Sequence, residues 1–153
     1  MTRGTYTLKI LDLWEKIWDK QDIVIVEGRK SRLGVGNDLF SNCNSIKRIL
    51  CPSINAFSKY DIILNECLKQ NKNTMFLIAL GPTASVLSYD LANKGFRSLD
   101  IGHIDSEYEW YKMGAVSKVK LPNKHTAEFN YDENIVLDTD ERYESQIVAK
   151  VGI

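Results

Sequence analysis

The chain has 153 residues, and its 20 Lys and Arg residues balance its 20 Asp and Glu residues, so the formal net charge is zero. A chain of this length with 44% hydrophobic residues is predicted to fold as one globular domain. The neutral charge argues against a protein that binds nucleic acid mainly through the phosphates. We therefore expect no nucleic-acid partner.

Neither a membrane-spanning segment nor a secretory signal is visible. No apolar run approaches the length of a transmembrane helix, and residues 1–6 contain no apolar signal core. The three cysteines, Cys43, Cys51 and Cys67, are odd in number and are not spaced like zinc ligands. We expect reduced, buried thiols and a cytoplasmic protein without a transmembrane segment.

The predicted elements alternate between helix and strand. Before residue 20, apolar residues at three- and four-residue spacing predict a helix whose buried face carries Leu11, Trp14, Ile17 and Trp18. Short apolar strands are predicted at residues 22–26 and 74–80, an alternating strand at 45–51 and a fourth strand at 97–101. Helices are predicted at residues 55–70 and 84–93, and a last helix through Ala149 would be capped by Thr139 or Asp140. The alternation predicts an α/β domain with a parallel sheet and crossover helices.

Three loops leave the carboxyl ends of predicted strands, where open parallel sheets bind ligands. They begin at Glu27, Gly81 and Gly102. In the first loop, Gly34 and Gly36 allow close approach of the backbone to a ligand, and nearby arginines suit phosphate. This loop matches neither the P-loop nor the dinucleotide fingerprint, so a ligand loop and a flexible surface loop remain alternatives.

The second loop leads directly into a predicted helix. The first amides of a helix have no partner within it and favour an anion, so Thr83 and Ala84 are candidates to bind a phosphate. The alternative is that Thr83 only caps the helix and Gly81 only makes the turn.

The third loop contains Asp105 and Glu107, with His103 two residues before them. In extended backbone, residues i and i+2 point the same way, so we expect the two carboxylates to lie side by side. Such a pair can share Mn²⁺ or Mg²⁺ and thereby neutralise a diphosphate. The alternative is a pair of solvated acids without a ligand.

Several runs of the sequence resemble a family of bacterial glycosyltransferases, the GT-D type, first catalogued as a domain of unknown function. The matching runs are VEGRKSRLGVGNDLF at 26–40, LIALGPTA at 77–84, DIGHIDSEYEW at 100–110 and YESQIVA at 143–149. The resemblance extends from about Leu11 onward. The chain resembles the carboxyl-terminal portion of the family domain, because it has no Phe-Gly-Asp-Gly-Glu-like motif ahead of the first helix. It is expected to be a single domain over residues 1–153 that lacks the family's amino-terminal segment.

The resemblance implies a Rossmann-like fold, with helices on both faces of the sheet. It also implies transfer of a hexose, typically glucose, from a UDP-sugar to a glycan acceptor on a glycoprotein or surface polysaccharide. The family's metal-binding Asp-x-Glu motif falls on Asp105 and Glu107, so Mn²⁺ or Mg²⁺ is the expected cofactor. The expected binding residues are Glu27, Gly28, Ser31, Arg32, Gly34, Gly36, Asn37, Gly81, Thr83 and Ala84. Arg32 is the favoured phosphate donor, and Asn37 or Asp38 is expected to bond ribose or sugar hydroxyls.

An inverting transfer needs a base for the acceptor hydroxyl, and the sequence leaves Glu27, Asp38, His103 and Glu109 as candidates. Two other functions remain open. One is a non-catalytic nucleotide-binding fragment that needs a missing partner segment, and the other is a metal-dependent phosphohydrolase. Exposed sheet edges also make a homo-oligomer possible.

Overall fold

The computed structural model describes residues 5–126, 129, 132 and 135–153. Its helices are α1 (Thr5–Trp18), α2 (Tyr60–Leu68), α3 (Pro82–Asn93), α4 (Ile104–Met113) and α5 (Glu141–Gln146). Its strands are β1 (Asp22–Gly28), β2 (Ser45–Cys51), β3 (Met75–Ala79), β4 (Arg97–Asp100) and β5 (Ile147–Lys150). A short 3₁₀ turn over Ala56–Lys59 precedes α2.

The five strands form one parallel sheet in the order β4-β3-β1-β2-β5. The chain moves from β1 to β2 on one side and later returns to place β3 on the other side of β1. The strand order therefore reverses between β1 and β3, where doubly wound sheets bind their ligands. The predicted α/β class and parallel sheet are confirmed.

Helices cover both faces of the sheet, because side chains alternate between faces along each strand. Val24 and Val26 of β1 pack in one core with residues of α2 and α3, whereas Ile23 and Ile25 pack in the other with residues of α1 and α4. Every residue from Ile23 to Gly28 is buried, as the continuous apolar run of β1 predicts. The two cores hold the sheet between them and fix the carboxyl ends of β1 to β4 as one rigid edge.

Two elements differ from the sequence prediction. The last helix does not reach Ala149: α5 ends at Gln146, and the next four residues form β5 beside β2. Residues 104–113, expected to begin in extended backbone, form α4. Asp140 caps α5, since its side chain accepts a hydrogen bond from the Tyr143 amide at 2.9 Å.

In the part of the chain that the structure describes, no helix is long and apolar enough to cross a membrane. All three cysteines are free thiols, and Cys51 and Cys67 are buried, as expected.

Candidate active site

The loops that leave β1, β2, β3 and β4 enclose a cavity of about 760 Å³. Cavities of this size commonly hold small molecules and cofactors. Gly28 and Ser31 line the cavity after β1, Gly81 and Thr83 line it after β3, and His103 lines it after β4. These five predicted site residues therefore share one cavity.

Two helices begin at the wall of this cavity. Gly81, with φ +54°, turns the chain from β3 into α3, and Pro82 occupies the first turn. Thr83 lines the cavity, but Ala84 does not, and its amide donates to the Gly81 carbonyl at 3.1 Å. The positive ends of α3 and α4 both face the cavity edge, which favours an anion there.

Asp105 lies in the cavity wall, in the first turn of α4. Its Oδ1 accepts hydrogen bonds from the Gly34 amide at 2.8 Å and from Asn37 Nδ2 at 3.0 Å. Its Oδ2 accepts one from Lys124 Nζ at 3.0 Å. Three hydrogen-bond donors therefore hold this carboxylate in the cavity wall.

Glu107 does not accompany Asp105 in the cavity wall. The expectation of extended backbone is wrong, because both residues belong to α4. Successive residues of a helix are rotated by about 100°, so residues i and i+2 project roughly 200° apart. The two carboxylates thus leave the helix on different sides, and the described residues contain no group of three or more His, Cys, Asp or Glu arranged to hold a metal ion.

Lys124 is a member of the site that the sequence does not reveal. It belongs to a basic stretch that is typical of solvated surface, yet it is only 1% exposed. Its ammonium lies 3.0 Å from Asp105 and 3.3 Å from Glu109. The next residue, His125, lines the cavity, and its amide donates to the Lys30 carbonyl at 2.7 Å. No periodicity or motif signals this placement, which depends on tertiary contacts.

Glu27 and Arg32, both expected to bind the ligand, lie beneath the first loop. Glu27 is fully buried, with its carboxylate 2.7 Å from Arg48 and 2.7 Å from the Leu33 amide. Burial raises the pKa of Glu27, while Arg48 and the Leu33 amide oppose that rise. Arg32 is 5% exposed, lies over the Tyr143 ring and donates to the Asp138 carbonyl. Neither side chain lines the cavity.

Gly34, Gly36 and Asn37 line a separate, smaller cavity of about 150 Å³ beside α5. The Gly34 amide and the Asn37 side chain reach the main site only through Asp105. Asp38 lines neither cavity and accepts a hydrogen bond from the Tyr108 hydroxyl. That bond holds the pKa of Asp38 below its ordinary value.

The charge of the main cavity is unusual for an anion site. Among the described residues that line it there is no Lys or Arg, whereas Asp100 and Asp105 are both present. The remaining ionisable groups are His103 and His125, and His125 Nδ1 lies 2.8 Å from Asp132. His125 was not predicted to belong to the site, yet this residue lines the cavity.

The loop after β2 was not predicted to take part in a site. Pro52, Ser53, Asn55 and Phe57 nevertheless line the cavity. Pro52 directly follows β2, and Phe57 lies in the 3₁₀ turn before α2. The parallel pairing of β1 with β2 brings this loop beside Gly28.

A doubly wound parallel sheet with a cavity at its switch point is the arrangement in which open α/β sheets bind ligands. The family model described as the glycosyltransferase GT-D fold matches residues 5–129 of the chain. The chain belongs to this family.

Named relatives and solved structures agree with that family. A probable glycosyl transferase of Streptococcus gordonii is 55% identical over 138 residues, which are 90% of this chain and 20% of the relative. The glycosyltransferase GlyD of Streptococcus pneumoniae serotype 4 is 56% identical over 137 residues, which are 90% of this chain and 17% of the relative. The chain thus spans about a fifth of the length of these curated relatives.

The solved structures are similarly close. One, described as domain of unknown function 1792 with a distinct glycosyltransferase fold, superposes with a TM-score of 0.93 at 56% identity. The superposition covers 95% of this chain and 52% of the other chain. Another, a glycosyltransferase of the same domain type from Streptococcus sanguinis, gives a TM-score of 0.93 at 53% identity, with 95% of this chain covering 55% of it. The Rossmann-like fold expected from the resemblance is confirmed.

Proposed function

We propose that this chain binds a UDP-sugar and acts in the transfer of a hexose, glucose in our expectation, to a glycan acceptor on a glycoprotein or surface polysaccharide. One observation carries the proposal: in a chain of the GT-D family, a single cavity spans four strand ends and combines Asp105 with the amino-terminal ends of two helices. The helix ends suit a diphosphate, and the polar groups suit the hydroxyls of a sugar.

The charge of the cavity supports dependence on Mn²⁺ or Mg²⁺. A nucleoside diphosphate brings negative charge to a wall that already holds Asp100 and Asp105 and, among its described residues, no Lys or Arg. Mg²⁺ in proteins is commonly held by one or two carboxylates together with substrate phosphates and water, so a preformed cage of protein ligands is not needed. The two carboxylates of the cavity wall, Asp100 and Asp105, therefore fit an ion that enters with the donor.

In this proposal Asp105 holds the ion, and Glu107 is the expected second ligand. Asp105 is chosen because its carboxylate lines the cavity. Glu107 lies outside the described cavity wall, so its part rests on the resemblance. When bound, the ion neutralises charge on the diphosphate leaving group.

His103 is our choice for the group that accepts the proton of the acceptor hydroxyl. Of the four candidate bases, only His103 lines the cavity. Glu27 is paired with Arg48, and Glu109 accepts a hydrogen bond from Asn37 and is paired with Lys124. Thr83, through its hydroxyl and its amide, is proposed to hold phosphate oxygens, because Pro82 has no N–H and the Ala84 amide is bonded to Gly81.

The test is a calorimetric titration of UDP-glucose into the chain with and without Mn²⁺. We expect Mn²⁺ to strengthen binding, and we expect Asp105→Asn to remove most of that gain. The matched control is Asp61→Asn, at an exposed acid of α2. Equal Mn²⁺-dependent binding by the Asp105→Asn variant would contradict the metal assignment, and UDP-galactose in the same titration tests the choice of sugar.

A second candidate function is nucleotide binding without catalysis. This candidate is supported by the length of the match, because the chain spans only about half of the solved chains that it resembles. An assay of UDP-glucose hydrolysis separates the candidates: Mn²⁺-dependent turnover that is lost in His103→Ala supports the enzyme. Tight UDP binding without turnover supports a fragment that needs a partner segment.

A further inference from the structure

The end of the cavity formed by the loop after β2 differs chemically from the rest of the wall. Phe57 is the only Phe, Tyr or Trp among the described residues that line the cavity, and it is 57% exposed. Its ring stacks on Tyr60, with 5.3 Å between centroids and 29° between planes. The contact supports the ring from one side, and more than half of the residue remains open to a ligand.

Two exposed polar residues, Ser53 and Asn55, accompany Phe57 along the same wall. Asn55 has φ +52°, and its side chain makes no capping hydrogen bond to the turn that follows. A carboxamide both donates and accepts hydrogen bonds, which matches the alternating donors and acceptors on the edge of a pyrimidine. An aromatic face beside such groups is the usual chemistry of base recognition.

The order of strands places this loop at one end of a line. From β4 through β3 and β1 to β2, four neighbouring strand ends extend over roughly 14 Å, because adjacent strands lie about 4.8 Å apart. His103 follows β4, the start of α3 follows β3, and Phe57 follows β2, whereas the Asp105 carboxylate meets the loop after β1 at the Gly34 amide. A nucleotide sugar is also elongated, and its diphosphate lies between the sugar at one end and the base at the other.

We propose that Phe57 stacks on the nucleobase of the donor and that Asn55 reads the base edge, so that the sugar lies toward His103 in the loop after β4. The inference rests on the proposed binding of a nucleoside diphosphate sugar and adds the orientation of that ligand. The helix ends favour the phosphates at β3 and β4, which leaves the uncharged aromatic end for the base.

The experiment compares Phe57→Ala with the unaltered chain by calorimetry, using UDP, UMP and inorganic diphosphate in the presence of Mn²⁺. Loss of a base–aromatic stack is expected to weaken UDP and UMP by roughly tenfold or more and to leave inorganic diphosphate unchanged. The matched control is Tyr89→Ala, since Tyr89 is a 68% exposed aromatic residue outside the cavity. Phe57→Trp keeps a stacking face and is expected to retain UDP affinity.

Two results would overturn the inference. The first is a Phe57→Ala variant whose affinity for UDP is within twofold of that of the unaltered chain. The Phe57 face would then bind another group, such as an acceptor sugar. The other is an equal loss of affinity for inorganic diphosphate, which would indicate a general disturbance of the cavity. If the unaltered chain binds inorganic diphosphate, UDP and UMP all too weakly to measure, the proposed function itself fails, and this inference fails with it.

Discussion

Lys124 shows how one buried charge can hold a site together. Its ammonium is bonded to Asp105 and Glu109, and the same Asp105 accepts the Gly34 amide and the Asn37 side chain. The strand ends and the first loop are thereby tied to α4 through one carboxylate. Charge patterning along the sequence indicates exposure for Lys124, because the partners that bury it are 15 and 19 residues away.

We expect Lys124→Met to destabilise the fold by about 3–5 kcal/mol, since removing one partner of a buried pair leaves the other charge uncompensated. Asp105, with a side chain only 6% exposed, is that remaining charge. Urea unfolding monitored by circular dichroism measures the loss. Lys47→Met, at an exposed position of β2, is the control and is expected to change stability by less than about 0.5 kcal/mol. A Lys124→Met variant as stable as this control would refute the structural role.

Gly34 and Gly36 are two glycines of the first loop at which the effect of the same substitution can be compared. Both have positive φ, +75° and +80°, so alanine is strained at either position. A Cβ at Gly34 would also lie 2.5 Å from Phe40 Cδ2, whereas a Cβ at Gly36 meets nothing within 4 Å. We expect Gly36→Ala to cost about 1 kcal/mol and Gly34→Ala clearly more, on the order of 2–4 kcal/mol, because overpacking adds to the strain. Equal unfolding free energies for the two variants would contradict this expectation, because they would show that the Phe40 ring moves aside without a loss of stability.

At the scale of elements, β1 and β3 could be predicted because each is a short apolar run, and β2 because its polar and apolar residues alternate before Pro52. The same signals fail for α4. His103 at its start makes no side-chain capping bond, and three of its residues, Tyr108, Trp110 and Tyr111, are aromatic and weak helix formers. Strand β5 follows α5 without a single intervening residue, so no turn signal marks the change.

The start of α5 gives a direct test of capping. The sequence offers Thr139 and Asp140 as caps, and the structure assigns the role to Asp140, whose carboxylate accepts the Tyr143 amide. Asp140→Ala is expected to cost about 1 kcal/mol, and Thr139→Ala much less, as judged by thermal unfolding of the two variants side by side. A larger loss for Thr139→Ala would reverse the assignment.

At the scale of the whole molecule, the sequence correctly predicted which edge of the sheet holds the site. It predicted only some of the residues that line the cavity there. Gly28, Ser31, Gly81, Thr83, His103 and Asp105 line the cavity as expected. Arg32 does not, because a positive φ of 47° and the Tyr143 ring direct its guanidinium elsewhere. Phe57 and Lys124 were missed because neither lies in a motif. Their roles arise only when distant segments meet.

The two-sided core also protects the thiols. Burial raises the pKa of Cys43 and of Cys67 to about 12, and it raises that of Cys51 further. A raised thiol pKa lowers the thiolate fraction at pH 8, and thiolate is the form that reacts with disulfide reagents. We expect the folded protein to react very slowly with such a reagent at pH 8 and the unfolded protein to release three equivalents rapidly. Fast reaction of a thiol without denaturant would show that the core opens.

The most direct test of the account is an NMR titration of the ¹⁵N-labelled chain with UDP-glucose and Mg²⁺, which is diamagnetic and leaves the signals sharp. We predict that the shifted amide signals belong to the ends of β1 to β4, with Gly28, Ser53, Gly81 and Gly102 among the most affected. Signals beside the smaller cavity, such as those of Arg142 and Gln146, are predicted to move little. Shifts confined to that second cavity, or no shifts at saturating donor and Mg²⁺, would contradict the central claim that the cavity across four strand ends binds the nucleotide sugar.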